Sequence, residues 1–78
     1  MKKYTLENKP SFTNWQLVKI DMTCISSNFN AIKQGKVVGK SLNGIIDMWL
    51  IEFNEIISEE YQYSTAAIPH TFIIEEIN

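Results

Sequence analysis

The sequence predicts a small α+β domain in two layers, an antiparallel sheet packed on one long amphipathic helix. Three patterns carry that expectation: apolar residues at helical spacing over 41–60, alternation over 15–25, and an isoleucine-rich run over 71–77. A striped helix and a one-sided sheet bury their apolar faces against each other. At 78 residues there is room for one core only. Residues 1–14 read as a polar N-terminal arm and 15–78 as a single compact domain.

Pro10 breaks the arm, which is otherwise a candidate for a short edge strand. From Trp15 onward Val18, Ile20, Met22 and Cys24 alternate with Leu17, Lys19, Asp21 and Thr23, the period of a half-buried strand. Ser26-Ser27-Asn28 then punctuates the chain. Two structures suit 28–38. Ser27 can cap a short helix ended by Gly35, or 29–33 and 36–38 can pair as a hairpin around Gln34-Gly35. The β-branched Val37-Val38 favours the hairpin.

Over 41–60, Leu42, Ile45, Ile46, Trp49, Phe53, Ile56 and Ile57 fall on one helical stripe, and Ser41 is a good N-cap. Asn43, Asp47, Asn54, Glu55, Ser58 and Glu59 fall opposite. Pro69 and His70 stop any helical continuation, and 71–77 reads as a terminal strand.

The single cysteine, Cys24, forms no intramolecular disulfide, and one Cys with one His makes no structural zinc site. No signal-type apolar segment follows Lys2-Lys3, and acids interrupt 45–57, so a cytoplasmic protein without a membrane span is expected. Twelve Ile, seven Asn and seven Lys with no Arg match AT-rich coding sequence, as in low-GC bacteria, their phages and plasmids. Without arginine the chain lacks the planar fork that reads phosphate and guanine. A net charge of −2 also argues against direct nucleic-acid binding.

Charge is segregated along the chain. All seven lysines lie in 1–40 against Glu7 and Asp21, a net +5, while 41–78 holds seven acids and no lysine. Either the halves interleave and neutralise each other, or the acids form a face that steers onto a basic partner.

Gly35-Lys36-Val37-Val38-Gly39-Lys40-Ser41 approaches a phosphate-binding loop, but three residues separate its glycines where the motif needs four. Gly39-Lys40-Ser41-Leu42 at a helix start, followed by Ile45, Met48 and Ile51, resembles the acyl and peptidyl carrier proteins. The resemblance implies phosphopantetheine on Ser41, although Lys40 stands where that family has Asp. His70 reads as a solvated loop residue and Cys24 as a small buried hydrophobe. No catalytic residue, metal ligand or cofactor site is assigned, and a non-enzyme is expected.

The candidate partner-binding residues are Asp47, Met48, Ile51, Glu52, Glu55 and Glu59. On a helix, Ile51 and Met48 sit among acids on the outer face, like a small interface with a charged rim. The alternative is that this face packs on the N-terminal arm. The expected function is a protein-binding module, an inhibitor of phage or mobile-element origin of anti-defence or immunity type. Its target would be a macromolecule, such as a nucleic-acid-binding protein. The other readings are a self-associating accessory domain, a homodimer through Ile51 and Met48, and the carrier-like protein modified at Ser41.

Overall fold

The computed structural model describes residues 4–25, 31–54 and 64–77. These form one five-stranded antiparallel sheet in the order β4-β3-β2-β1-β5. The strands are β1 Leu17–Asp21, β2 Ile32–Leu42, β3 Met48–Phe53, β4 Thr65–Pro69 and β5 Ile73–Ile77. Two 3-10 turns, Met22–Cys24 and His70–Phe72, are the helical elements among the described residues.

The predicted two-layer fold is therefore corrected: no helix spans 41–60. Ser41 and Leu42 end β2, and Met48–Phe53 is a strand. In β3 Trp49, Ile51 and Phe53 are buried while Met48, Leu50 and Glu52 are half-buried, a period of two. Trp49 and Phe53 suit a helical stripe and a strand face equally, which is why the helical spacing misleads. The rest of the predicted helix, 55–60, lies outside the described residues.

The alternation at 15–25 does produce a strand, β1, with Val18 and Ile20 fully buried and Met22 continuing inward from the 3-10 turn. The hairpin expected around Gln34-Gly35 is replaced by one continuous strand, since β2 runs straight through Gly35. Gly35 is needed for close approach. A Cβ there would collide with Ile51 Cγ2 and stand 3.3 Å from Phe53 Cε1. The apparent phosphate loop is thus strand backbone, and Ser41 does not open a helix as the carrier resemblance requires.

β4 and β5 are opposite edges of the sheet, yet only His70–Phe72 separates them in the chain. A flat five-stranded sheet would hold its edges about 19 Å apart, whereas a three-residue 3-10 turn rises only about 6 Å. The sheet must curl on itself. Register shifts at 37–39 and 40–42 of β2 and at 19–20 of β1 sharpen the bend. Inside the curl sit Val18, Ile20, Val37, Ile51, Phe53, Ile68 and Ile73. The N-terminal arm adds Tyr4 and Phe12 to this core. Phe12 meets the Tyr4 and Trp49 rings edge-on, with centroids 5.8 and 5.0 Å away.

Candidate functional site

The end of β2 and the loop that joins it to β3 are built inside out. Leu42 is 60% exposed, Ile45 79% and Ile46 43%, whereas Asp47 is only 5% exposed. A surface loop ordinarily solvates its charge and hides its aliphatic groups.

Asp47 is held by three separate parts of the chain. Lys40 Nζ of β2 lies 3.1 Å from Oδ2, and Lys9 Nζ of the arm lies 3.3 Å from Oδ1. Gly44 N–H donates to Oδ1 at 3.3 Å, closing the loop on itself. Lys9 Nζ also donates to the Gly44 carbonyl. The Lys40 hydrogen bond outweighs desolvation and, with the Gly44 and Lys9 donors, holds the Asp47 carboxyl down at about 2.

The third tether is His70. Its backbone N–H donates to the Asp47 carbonyl at 2.8 Å, and Asp47 N–H donates to Nδ1 at 3.1 Å. With Nδ1 accepting, the ring proton lies on Nε2 and donates to the Thr5 carbonyl at 2.7 Å. His70 is fully buried, which corrects its reading as a solvated loop histidine. Residues 5–9 consequently run beside the loop, and Leu6 of this segment is another exposed aliphatic side chain.

A second exposed feature lies on β1's approach. Trp15 is 67% exposed and carries φ 73°, the one positive-φ non-glycine among the described residues. Its N–H donates to the Val37 carbonyl, and Val37 N–H donates to the Gln16 carbonyl, so paired bonds pin the strained backbone. Lys36 Nζ stands 5.1 Å from the ring centroid. Thr13, Asn14, Gln16, Leu17 and Ile77 line an open cleft of about 470 Å³ beside the ring.

Of the six partner-binding candidates, the four that are described, Asp47, Met48, Ile51 and Glu52, lie in or beside β3 and not on a helix face. Ile51 is fully buried against Gly35, so it cannot centre a two-fold interface. Asp47 is buried in its ion cluster, Met48 is half-buried, and Glu52 lies 3.8 Å from Lys36 directly across the β2–β3 ladder. Glu55 and Glu59 lie outside the described residues. The aliphatic tip at Leu42, Ile45 and Ile46 falls where the sequence predicts the core-facing stripe of a helix. Its sequence signal was Asn43-Gly44, a turn pair inside an apolar run.

The charge segregation resolves by interleaving at three described acids of the second half, each of which meets a lysine of the first. Lys19 meets Glu75 at 3.3 Å across β1–β5, Lys36 meets Glu52, and Lys9 and Lys40 meet Asp47. Glu76 accepts from Tyr4 Oη at 2.9 Å. Burial, then that bond and charge, push the Tyr4 phenol up to about 12.

Among the described residues no three His, Cys, Asp or Glu side chains converge as a metal group, and no helix is long and apolar enough to cross a membrane. No protein-family model, curated protein or solved structure matches the chain.

Proposed function

We propose that the protein is a non-enzymatic binding module that occupies a protein partner through the apolar tip at Leu42, Ile45 and Ile46. The inversion of the segment 42–47 carries this reading: three of its aliphatic side chains are exposed, while its carboxylate is buried and tethered. Folding gains nothing from that exposure, and contiguous exposed apolar side chains mark interaction surfaces. The tethers to the arm, β2 and His70 hold the loop in one shape, which lowers the ordering cost of binding.

A protein partner suits the tip better than nucleic acid, since the tip is aliphatic and the chain has no arginine. Steering by an acidic face loses support, because the described acids of the second half already have partners. An inhibitory role of anti-defence or immunity type, in the cytoplasm of a host with AT-rich coding sequence, rests on composition alone and forms the outer part of the proposal.

Capture from native host extract with wild-type protein and with Ile45→Asp, followed by cross-linking mass spectrometry, tests the reading. A partner cross-linked near residues 42–46 and weakened by about 1–2 kcal/mol or more in the variant is expected of an interface anchor. A partner held equally by both proteins would remove the tip from the interface.

A further inference from the structure

Among the described residues β4 pairs on one side only, and the bonds around it fix which backbone groups face the other way. Phe53 N–H donates to the Ser64 carbonyl at one end, and His70 N–H donates to the Asp47 carbonyl at the other. In an antiparallel ladder the bonding residues recur at every second position. Ser64, Ala66, Ile68 and His70 therefore turn their backbone groups toward β3. Thr65, Ala67 and Pro69 turn theirs away, and among the described residues nothing pairs with the outward groups of Thr65 and Ala67.

The two sheet edges differ in their protection. β5 carries Glu75 and Glu76, both exposed, so pairing two copies there would bring like charges together. β4, Thr65-Ala66-Ala67-Ile68-Pro69, carries no charge and has two small side chains at its centre.

We propose that two copies of the chain pair antiparallel through β4 about a two-fold axis at Ala67. In that register Ala67 exchanges both backbone bonds with its mate, and each Thr65 N–H reaches the opposite Pro69 carbonyl. Pro69 has no N–H to offer, so the ladder ends where β4 ends. A second copy matches that length, and a longer foreign strand would gain no bond from proline's nitrogen. The seam is isologous, with the same edge on both subunits. It shares no residue with the Leu42, Ile45 and Ile46 tip, so the two proposals stand or fall separately.

Sedimentation of the full chain over a wide concentration range tests the pairing, with circular dichroism as the fold control. Wild-type protein is expected to move from monomer to dimer as concentration rises. Ala67→Pro deletes the outward N–H and leaves every bond to β3, so it should fold and raise the dimer dissociation constant about tenfold or more, 1.4 kcal/mol per decade. Ala67→Lys places like charges on the axis without touching the backbone and should do the same. Should Ala67→Pro not fold, Ala67→Lys decides alone. A wild-type chain that stays monomeric throughout, or a dimer unchanged by folded Ala67→Lys, would overturn the proposal.

Discussion

Asp47 and His70 are joined by opposed hydrogen bonds, His70 N–H to the Asp47 carbonyl at 2.8 Å and Asp47 N–H to His70 Nδ1 at 3.1 Å. Through this pair the β2–β3 loop is fixed to the turn that carries the chain from β4 to β5. Nε2 extends the connection to Thr5 and so to the arm. One buried imidazole thus orders three segments distant in sequence.

His70→Phe keeps much of the volume and removes the acceptor for Asp47 N–H and the donor for the Thr5 carbonyl. Leaving a buried polar group unsatisfied costs about 1–3 kcal/mol. Urea unfolding should show a lower midpoint at unchanged slope. An unchanged midpoint would mean that water replaces both bonds without loss.

Asp47 gives a pH dependence with a definite sign. Its carboxyl is held at about 2, below the ordinary 3.8, first by the Lys40 hydrogen bond. A carboxylate with a depressed native pKa stabilises the fold above its unfolded value, and that contribution is lost as pH falls through the native one. The stabilisation is therefore full above about pH 4 and disappears toward about pH 2. Asp47→Asn should be less stable than wild type at neutral pH, and the difference should shrink through this acid window. Urea midpoints measured against pH for both proteins check it; parallel curves would exclude Asp47 as the source.

Only the β1 and β5 regions of the sheet are legible in the sequence, β1 because its one-sidedness is written there. Val18 and Ile20 against Lys19 and Asp21 leave no helical alternative with a continuous stripe. β3 is not legible in this way. Trp49 and Phe53, four residues apart, lie on one face of a helix and on one face of a strand. Ile51 is the residue that separates the two: a helix places it among acids, and a strand places it between the aromatics in the core. Its apparent misplacement on the polar face was the signal for a strand. The loop's inversion is not readable at all, since the burial of Asp47 depends on Lys9, Lys40 and His70 converging from across the sequence.

Gly35 and Ile51 should show coupled energetics. Adding a Cβ at Gly35 drives it into Ile51 Cγ2, and overpacking of this kind costs about 1–3 kcal/mol. Leucine at 51 has no branch at Cβ. Gly35→Ala combined with Ile51→Leu should therefore be less destabilised than the two single changes added together. A double-mutant cycle by thermal or urea unfolding measures the coupling; strict additivity would place the clash elsewhere.

The two tryptophans should separate cleanly in solution. Trp15 is exposed beside Lys36, and Trp49 is buried under Phe12 and 5.0 Å from Lys40 Nζ. Acrylamide should quench one emitting population strongly and the other weakly, and Trp15→Phe should abolish the quenchable one. Equal quenching of both would show that the arm does not cover Trp49.

The sharpest contrast lies between two isoleucines. Ile45 is 79% exposed on the loop tip, and Ile51 has no exposure at all. Placing glutamate at 45 changes a site away from core, caps and strained backbone, so stability should shift by about 0.5 kcal/mol or less. At 51 the same glutamate would be driven against Gly35 and the core side chains of Val37 and Phe53, or would have to pull β3 out of the sheet. Burying an unpaired carboxylate costs several kcal/mol even after its pKa adjusts, comparable with the whole stability of a small domain, about 5 kcal/mol at the lower end. Ile51→Glu should accordingly be unfolded by circular dichroism, while Ile45→Glu melts close to wild type. A cooperative, near-wild-type melt from Ile51→Glu would be incompatible with β3 as a buried central strand.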